Sequence, residues 1–223
     1  MRAMVDLSGP TFGPAAGGKA RRLVILLHGY GADGNDLLGL APYWARRLPD
    51  TEFVSPHAPF PCEGAPFGRQ WFGFEGRSQE MMLAETQTAA AILDAYIDDQ
   101  LARRGLKEDR LALVGFSQGA MMALHVAPRR ERAVAAVVGY SGMLIAPQLL
   151  ASENKSMPSV LLVHGTSDPV VPYASMAAAH SALEAAGIAV TVATRPGLAH
   201  AIDEEGLALG GDFILANFTP AKA

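Results

Sequence analysis

Gly115-Phe116-Ser117-Gln118-Gly119 is a G-x-S-x-G segment lying between an apolar run and a stretch of small apolar residues. In a sharp strand-to-helix turn, this pattern holds a serine in a strained backbone conformation with its Oγ exposed above a sheet. Glycines are needed there because bulkier side chains would collide in so tight a turn. Alone, the five residues read equally well as an ordinary serine in a glycine-rich turn. The surroundings favour a nucleophile: RLALVGF (110–116) reads as a strand, and Ala120, Met121, Met122 and Ala123 as the start of a buried helix. Such a helix directs its positive end at the reaction centre, where a developing oxyanion is stabilised.

A serine hydroxyl is a weak nucleophile at neutral pH and requires a base that is itself oriented by a third group. In folds of this kind the chain order is serine, acid, histidine. Asp168, in HGTSDP (164–169), sits in a turn just past an apolar run, and His200 ends PGLAH (196–200) after the last strand candidate. Both loops then emerge at the carboxyl ends of parallel strands, where open α/β sheets bind ligands. The other histidines fit structural places better. His125 reads as packed in a helix, His180 as solvated, His57 as a loop residue able to line a pocket, and His164 as a brace for the Asp168 turn. Asp203, Glu204 and Glu205 read as the acidic start of the last helix.

His28-Gly29-Tyr30-Gly31 follows the first strong strand and reads either as a plain turn or as a source of an oxyanion donor. The backbone N–H groups of Tyr30 and Gln118 are the candidate pair. Phe60, Phe67, Trp71, Phe72 and Phe74 crowd into a long loop followed by Met81 and Met82. Aromatics there either wall an acyl pocket or anchor an irregular segment in the core. Trp71 and Phe72 are the candidates on one side of the substrate, and Met143 and Leu144 those on the other.

These residues need a scaffold, and the pattern of apolar runs supplies one. RLVILL (22–27), TEFVSP (51–56), RLALVGF (110–116), AVAAVVGY (133–140), SVLLVHG (159–165) and IAVTVAT (188–194) read as strands, several of them buried on both faces. Helices are expected over 36–48 with Asn35 or Asp36 as cap, over 81–104 with Gly105 as stop, and over 118–127, 173–186 and 203–217. Residues 8–20 read as a loop. Alternating strands and helices indicate a mainly parallel α/β sheet covered on both faces, and the 223 residues fit one domain, 1–223, with 1–20 as an N-terminal loop or edge segment.

Composition narrows the function classes. The net charge of −4 and the absence of a long basic run argue against nucleic-acid binding. One cysteine, Cys62, forbids an intrachain disulfide or a multi-cysteine metal site. The start, MRAMVDLSGPTFGP, has no continuous apolar stretch of signal-peptide length, and no segment reaches the ~20 apolar residues of a membrane-spanning helix, so the expectation is a cytoplasmic protein.

With those residues in place, the chain resembles the phospholipase/carboxylesterase family of α/β-hydrolases, relatives of the acyl-protein thioesterases. The resemblance is carried by LLHGYGADGNDL (26–37), SPHAP (55–59), RQWF (69–72), GFSQGA (115–120), HGTSDPVVP (164–172) and GLAHAIDEEG (197–206). It implies an α/β-hydrolase fold without a large cap domain, a Ser117–His200–Asp168 triad, Tyr30 and Gln118 as oxyanion donors, and neither metal nor cofactor. Thioesterase members commonly carry an aspartate after the Trp-Phe pair, where this chain has Gly73. The reading therefore leans to a carboxylesterase of small or medium acyl esters. The alternatives are an acyl-protein thioesterase or lysophospholipase, then a dienelactone-hydrolase-like enzyme or a non-catalytic binder. The expected partner is a small ester or thioester, and a homodimer is left open.

Overall fold

The computed structural model describes residues 7–218. Strands β1 (Thr11–Phe12), β2 (Arg22–Leu27), β3 (Thr51–Val54), β6 (Leu111–Phe116), β7 (Ala136–Tyr140), β8 (Ser159–Gly165) and β9 (Val190–Arg195) form a seven-stranded sheet in the order β1-β3-β2-β6-β7-β8-β9. Every neighbouring pair is parallel except β1 with β3. A separate antiparallel pair, β4 (Phe60–Pro61) and β5 (Arg69–Gln70), lies inside the long aromatic loop. The helices are α1 (Gly34–Leu38), α2 (Ala41–Ala45), α3 (Gln79–Arg104), α4 (Gln118–Val126), α5 (Pro147–Glu153), α6 (Ala174–Ala185) and α7 (Glu204–Asn217).

The apolar runs are explained by burial on two sides. Leu23, Ile25 and Leu27 of β2 join one core with Leu93, Ile97 and Met122 from α3 and α4. Val24 and Leu26, pointing the other way, join a second core with Trp44 and Ile214 from α2 and α7. A strand that feeds two cores has no face left for polar residues, which is why RLVILL shows no alternation.

Several boundaries differ from expectation. The helix expected over 36–48 is two short ones, because Pro42 stands in the first turn of α2 and restarts the backbone. Its cap is Asp33, whose side chain accepts the Asn35 N–H at 2.8 Å, rather than Asn35 or Asp36. Thr11 and Phe12, expected as loop, form an edge strand on β3. Helix α5 was not anticipated: only Leu150 of its residues is buried, so it carries no apolar period. Helix α3 conforms, with Ser78 accepting the Met81 N–H and Gly105 at φ 63° closing it in the left-handed region.

Candidate active site

Ser117 sits between β6 and α4 with φ 54° and ψ −119°, a conformation costly for a residue bearing a Cβ. The two flanking glycines are dictated by space. A Cβ on Gly115 would lie 2.3 Å from the Gly119 carbonyl, and one on Gly119 would lie 1.8 Å from the carbonyl oxygen of Leu27 in β2. The turn is tied to the next strand by the Ser117 N–H, which donates to Tyr140 O at 2.9 Å. Ser141, one residue on, is the other strained serine at φ 48°, and its hydroxyl is buried without a partner among the described residues.

Asp168 and His200 are brought together from two loops. His200 Nδ1 lies 2.8 Å from Asp168 Oδ2, so Nδ1 carries the proton and donates to the carboxylate, leaving Nε2 free. The Asp168 side chain is fully buried, while Oδ1 accepts the N–H groups of Val170 and Val171 at 2.8 and 2.9 Å. Burial alone would raise its pKa, but the His200 hydrogen bond and these two amides outweigh it and hold the carboxyl below the usual range. His164 braces the same turn: its Nε2 bonds Val171 O at 2.9 Å and lies 3.3 Å from Asp168 Oδ2.

The two loops interlock through their backbones. The Thr166 N–H donates to Arg195 O at 3.0 Å, Ser167 N–H to Leu198 O at 3.0 Å, and Gly197 N–H to Thr166 Oγ1 at 2.8 Å. Arg195 at the end of β9 grips Asp203 at the start of α7 through both carboxylate oxygens, closing the His200 loop at its base. The His200 ring packs 4.7 Å from that of Phe116, the residue before Ser117.

The His28–Gly31 turn also borders Ser117. A Cβ on Gly29 would lie 3.4 Å from Ser117 Cβ, so the backbone passes directly beside the serine. His28 is wholly buried; Nε2 accepts the Ala58 N–H at 2.9 Å and Nδ1 bonds Gly29 O at 2.8 Å. Burial lowers its pKa, consistent with a neutral ring that has Nδ1 protonated. The Gln118 side chain, fully buried, accepts Trp71 N–H at 2.8 Å through Oε1 and donates through Nε2 to Phe72 O at 2.6 Å.

A match to the family described as Phospholipase/Carboxylesterase spans residues 14–217. The chain belongs to this family. Esterase YpfH of Escherichia coli (strain K12) is 30% identical over 198 residues, 87% of this chain and 82% of that one. Acyl-protein thioesterase 1 of Neurospora crassa is 28% identical over 208 residues, 86% and 84% respectively. The crystal structure of esterase PE8 aligns with a TM-score of 0.91 at 42% identity, covering 96% of this chain and all of that one. The fold is therefore of the α/β-hydrolase type, and the chain is a serine-type ester hydrolase acting on small-molecule substrates.

Within this esterase the four pocket candidates are placed differently. Trp71 and Phe72 are 0% and 1% exposed, and Trp71 Nε1 donates to His28 O at 3.0 Å. Leu144 is buried and Met143 half-buried, both packed in the core on the α3–α4 side of the sheet. Phe67, by contrast, is 96% exposed. Among the other histidines, His57 accepts the Gly34 N–H at 3.1 Å and His125 is 2% exposed. The Gln118 side-chain bridge and the strained Ser141 are features that sequence reasoning missed. The first bonds backbone atoms, which leave no trace in residue types. A Ser-Gly pair (141–142) after a buried strand was the available sign of the second. Among the described residues, no group of three His, Cys, Asp or Glu side chains is placed to hold a metal ion, and no helix is long and apolar enough to cross a membrane.

Proposed function

We propose that the esterase hydrolyses small or medium acyl esters through an acyl-enzyme on Ser117, with His200 as base and Asp168 orienting it. The observation that carries this reading is the 2.8 Å Asp168–His200 contact, packed through Phe116 against a serine held at φ 54°. Ser117 Oγ adds to the ester carbonyl as its proton passes to His200 Nε2. The oxyanion that forms is held by the N–H groups of Tyr30 and Gln118, the second at the positive end of α4. Collapse breaks the acyl–oxygen bond, and the leaving alcohol takes the proton from His200. Water then repeats the sequence on the acyl-enzyme, releasing the acid and restoring Ser117. Of the four pocket candidates, Met143 and Leu144 border the acyl group in this reading, while Trp71 and Phe72, wholly buried, back the wall without touching substrate.

Incubation with a fluorophosphonate is expected to leave one adduct per chain, on Ser117, with complete loss of turnover. A fully active, unmodified protein would end the proposal. Thioester hydrolysis is the second reading, supported by the similarity to the Neurospora acyl-protein thioesterase. Matched p-nitrophenyl esters and acyl thioesters of graded chain length decide between them. The same reading gives a cytoplasmic enzyme that does not bind nucleic acid; net charge of −4 and a single cysteine support it. A homodimer is tested by sedimentation.

A further inference from the structure

Arg77 lies outside the proposed triad, yet its guanidinium is engaged on every side. It ends the turn that joins the Trp71-Phe72 pair to α3. Nε donates to Glu85 on α3 at 2.7 Å, one terminal nitrogen to Glu63 at 2.5 Å, and the other to the Glu75 carbonyl at 2.9 Å. The second Glu85 oxygen accepts the Gly73 N–H at 2.7 Å, so a single carboxylate fastens both ends of the turn. The guanidinium also fills the space above residue 73: a Cβ on Gly73 would lie 2.6 Å from an Arg77 nitrogen.

Two lines of contact lead from this turn to the amides assigned to the oxyanion. Along one, Gly73 follows directly on Phe72, whose carbonyl, together with the Trp71 N–H, grips the Gln118 side chain. Along the other, the Phe74 ring inside the turn packs 5.2 Å from Phe72 and 5.6 Å from Tyr30. The Tyr30 hydroxyl is held in turn by the N–H of Gly64, next to the Glu63 that Arg77 binds. A cavity of about 320 Å³ opens beside the cluster, lined by Phe60, Glu63, Gln70, Arg77, Glu85 and Thr88 among others, so the turn is not backed by solid packing there.

We propose that Arg77, acting with Glu85, is a positioning residue for ester hydrolysis: it fastens turn 73–77 to α3 and so keeps the Tyr30 and Gln118 amides aimed at the oxyanion. This rests on the reading of those two amides as oxyanion donors. The side chains of Arg77, Glu85 and Glu63 are 23%, 35% and 37% exposed, and ion pairs so placed contribute little to stability. Their effect on geometry is larger, because small misplacements of catalytic groups cost rate out of proportion to folding energy.

The test compares the full-length protein with Arg77→Ala, Arg77→Lys, Glu85→Gln and Ser117→Ala. It uses p-nitrophenyl butyrate kinetics, Tm, and affinity for a trifluoromethyl ketone that mimics the tetrahedral adduct. Arg77→Ala is expected to lower kcat by roughly 10–100-fold with KM within about twofold and Tm nearly unchanged. Affinity for the ketone falls by the same factor, because it reports the same amides. Arg77→Lys, which keeps the charge but not the fork, falls between the two. Unchanged kcat in both Arg77→Ala and Glu85→Gln, beside an inactive Ser117→Ala, overturns the proposal and leaves the acyl-enzyme reading standing. A raised KM with normal kcat also overturns it, since that reports pocket shape. An active Ser117→Ala overturns the underlying reading instead. Should Arg77→Ala not fold, Glu85→Gln decides alone: parallel losses of kcat and ketone affinity support the proposal, and normal values overturn it.

Discussion

Gly119 is pressed so closely against the carbonyl of Leu27 that a methyl group on it would lie 1.8 Å from the oxygen. The Ser117 turn is thus seated directly on the end of the neighbouring strand, and no rotamer change relieves the contact because both partners are backbone. Gly119→Ala is expected to cost about 3 kcal/mol or more of stability and most of the activity. Gly197→Ala, at φ 72° but with nothing within 4 Å of the added carbon, is expected to cost only about 1–2 kcal/mol. Urea unfolding midpoints read the difference, and equal losses would contradict the crowding argument.

Asp168→Asn keeps the shape of the acid but removes the charge that faces Nδ1 of His200. An amide there either donates to the ring, forcing the wrong tautomer, or loses the Val170 and Val171 N–H groups. The expected result is a fall in kcat of roughly 10³–10⁴-fold with KM little changed. Steady-state kinetics on one short ester suffice, and a loss confined to KM would count against the orienting role.

Gln118→Glu changes one atom in the bridge to the aromatic loop. Phe72 O would lose its donor and face a buried carboxylate instead, at a site 0% exposed. A loss of about 2–4 kcal/mol of stability is expected, smaller below pH 5, where the added acid protonates. Thermal melts at pH 4.5 and 7 check both parts.

The stability of the protein also carries a histidine signature. His125 is buried, and burial, then the nearby Arg129 charge, pushes its pKa down to about 4. The unfolded chain, with histidine near 6.5, binds more protons than the fold between these values. Stability is therefore complete above about pH 6.5 and declines as pH falls toward 4, by up to about 3 kcal/mol from this residue. His28, lowered by burial as well, adds in the same direction. His125→Leu is expected to flatten the curve in this window, as followed by urea titration at several pH values; an unaltered slope would refute the assignment.

Most of the scaffold was legible in the sequence because strands buried on both faces are nearly uninterrupted apolar runs. SVLLVHG was bounded correctly, and the ends of the other long elements fell within a few residues. The Asp168–His200 pairing was legible as well, since Asp168 follows such a run and His200 follows a β-branched strand candidate, although that last strand, β9, is itself half-exposed. Elements with little to bury were not: α5 hides one leucine, and β1 is two residues on an edge. The aromatic loop was ambiguous for a different reason. Its side chains are those of a core or a pocket alike, whereas its placement depends on backbone groups bonded to Gln118 and Glu85, and every residue type but proline has those groups.

The interlocked loops of Asp168 and His200 have one more consequence. They are joined to β8 and β9, while Ser117 lies between β6 and α4 and the aromatic turn leads into α3. In the proposed reaction the base and its acid thus sit on one pair of strands and the serine on another, joined through β7 and by the Phe116–His200 ring contact. Under the proposed reading, substitutions in the aromatic loop are expected to alter the acyl site while leaving the Asp168–His200 contact in place.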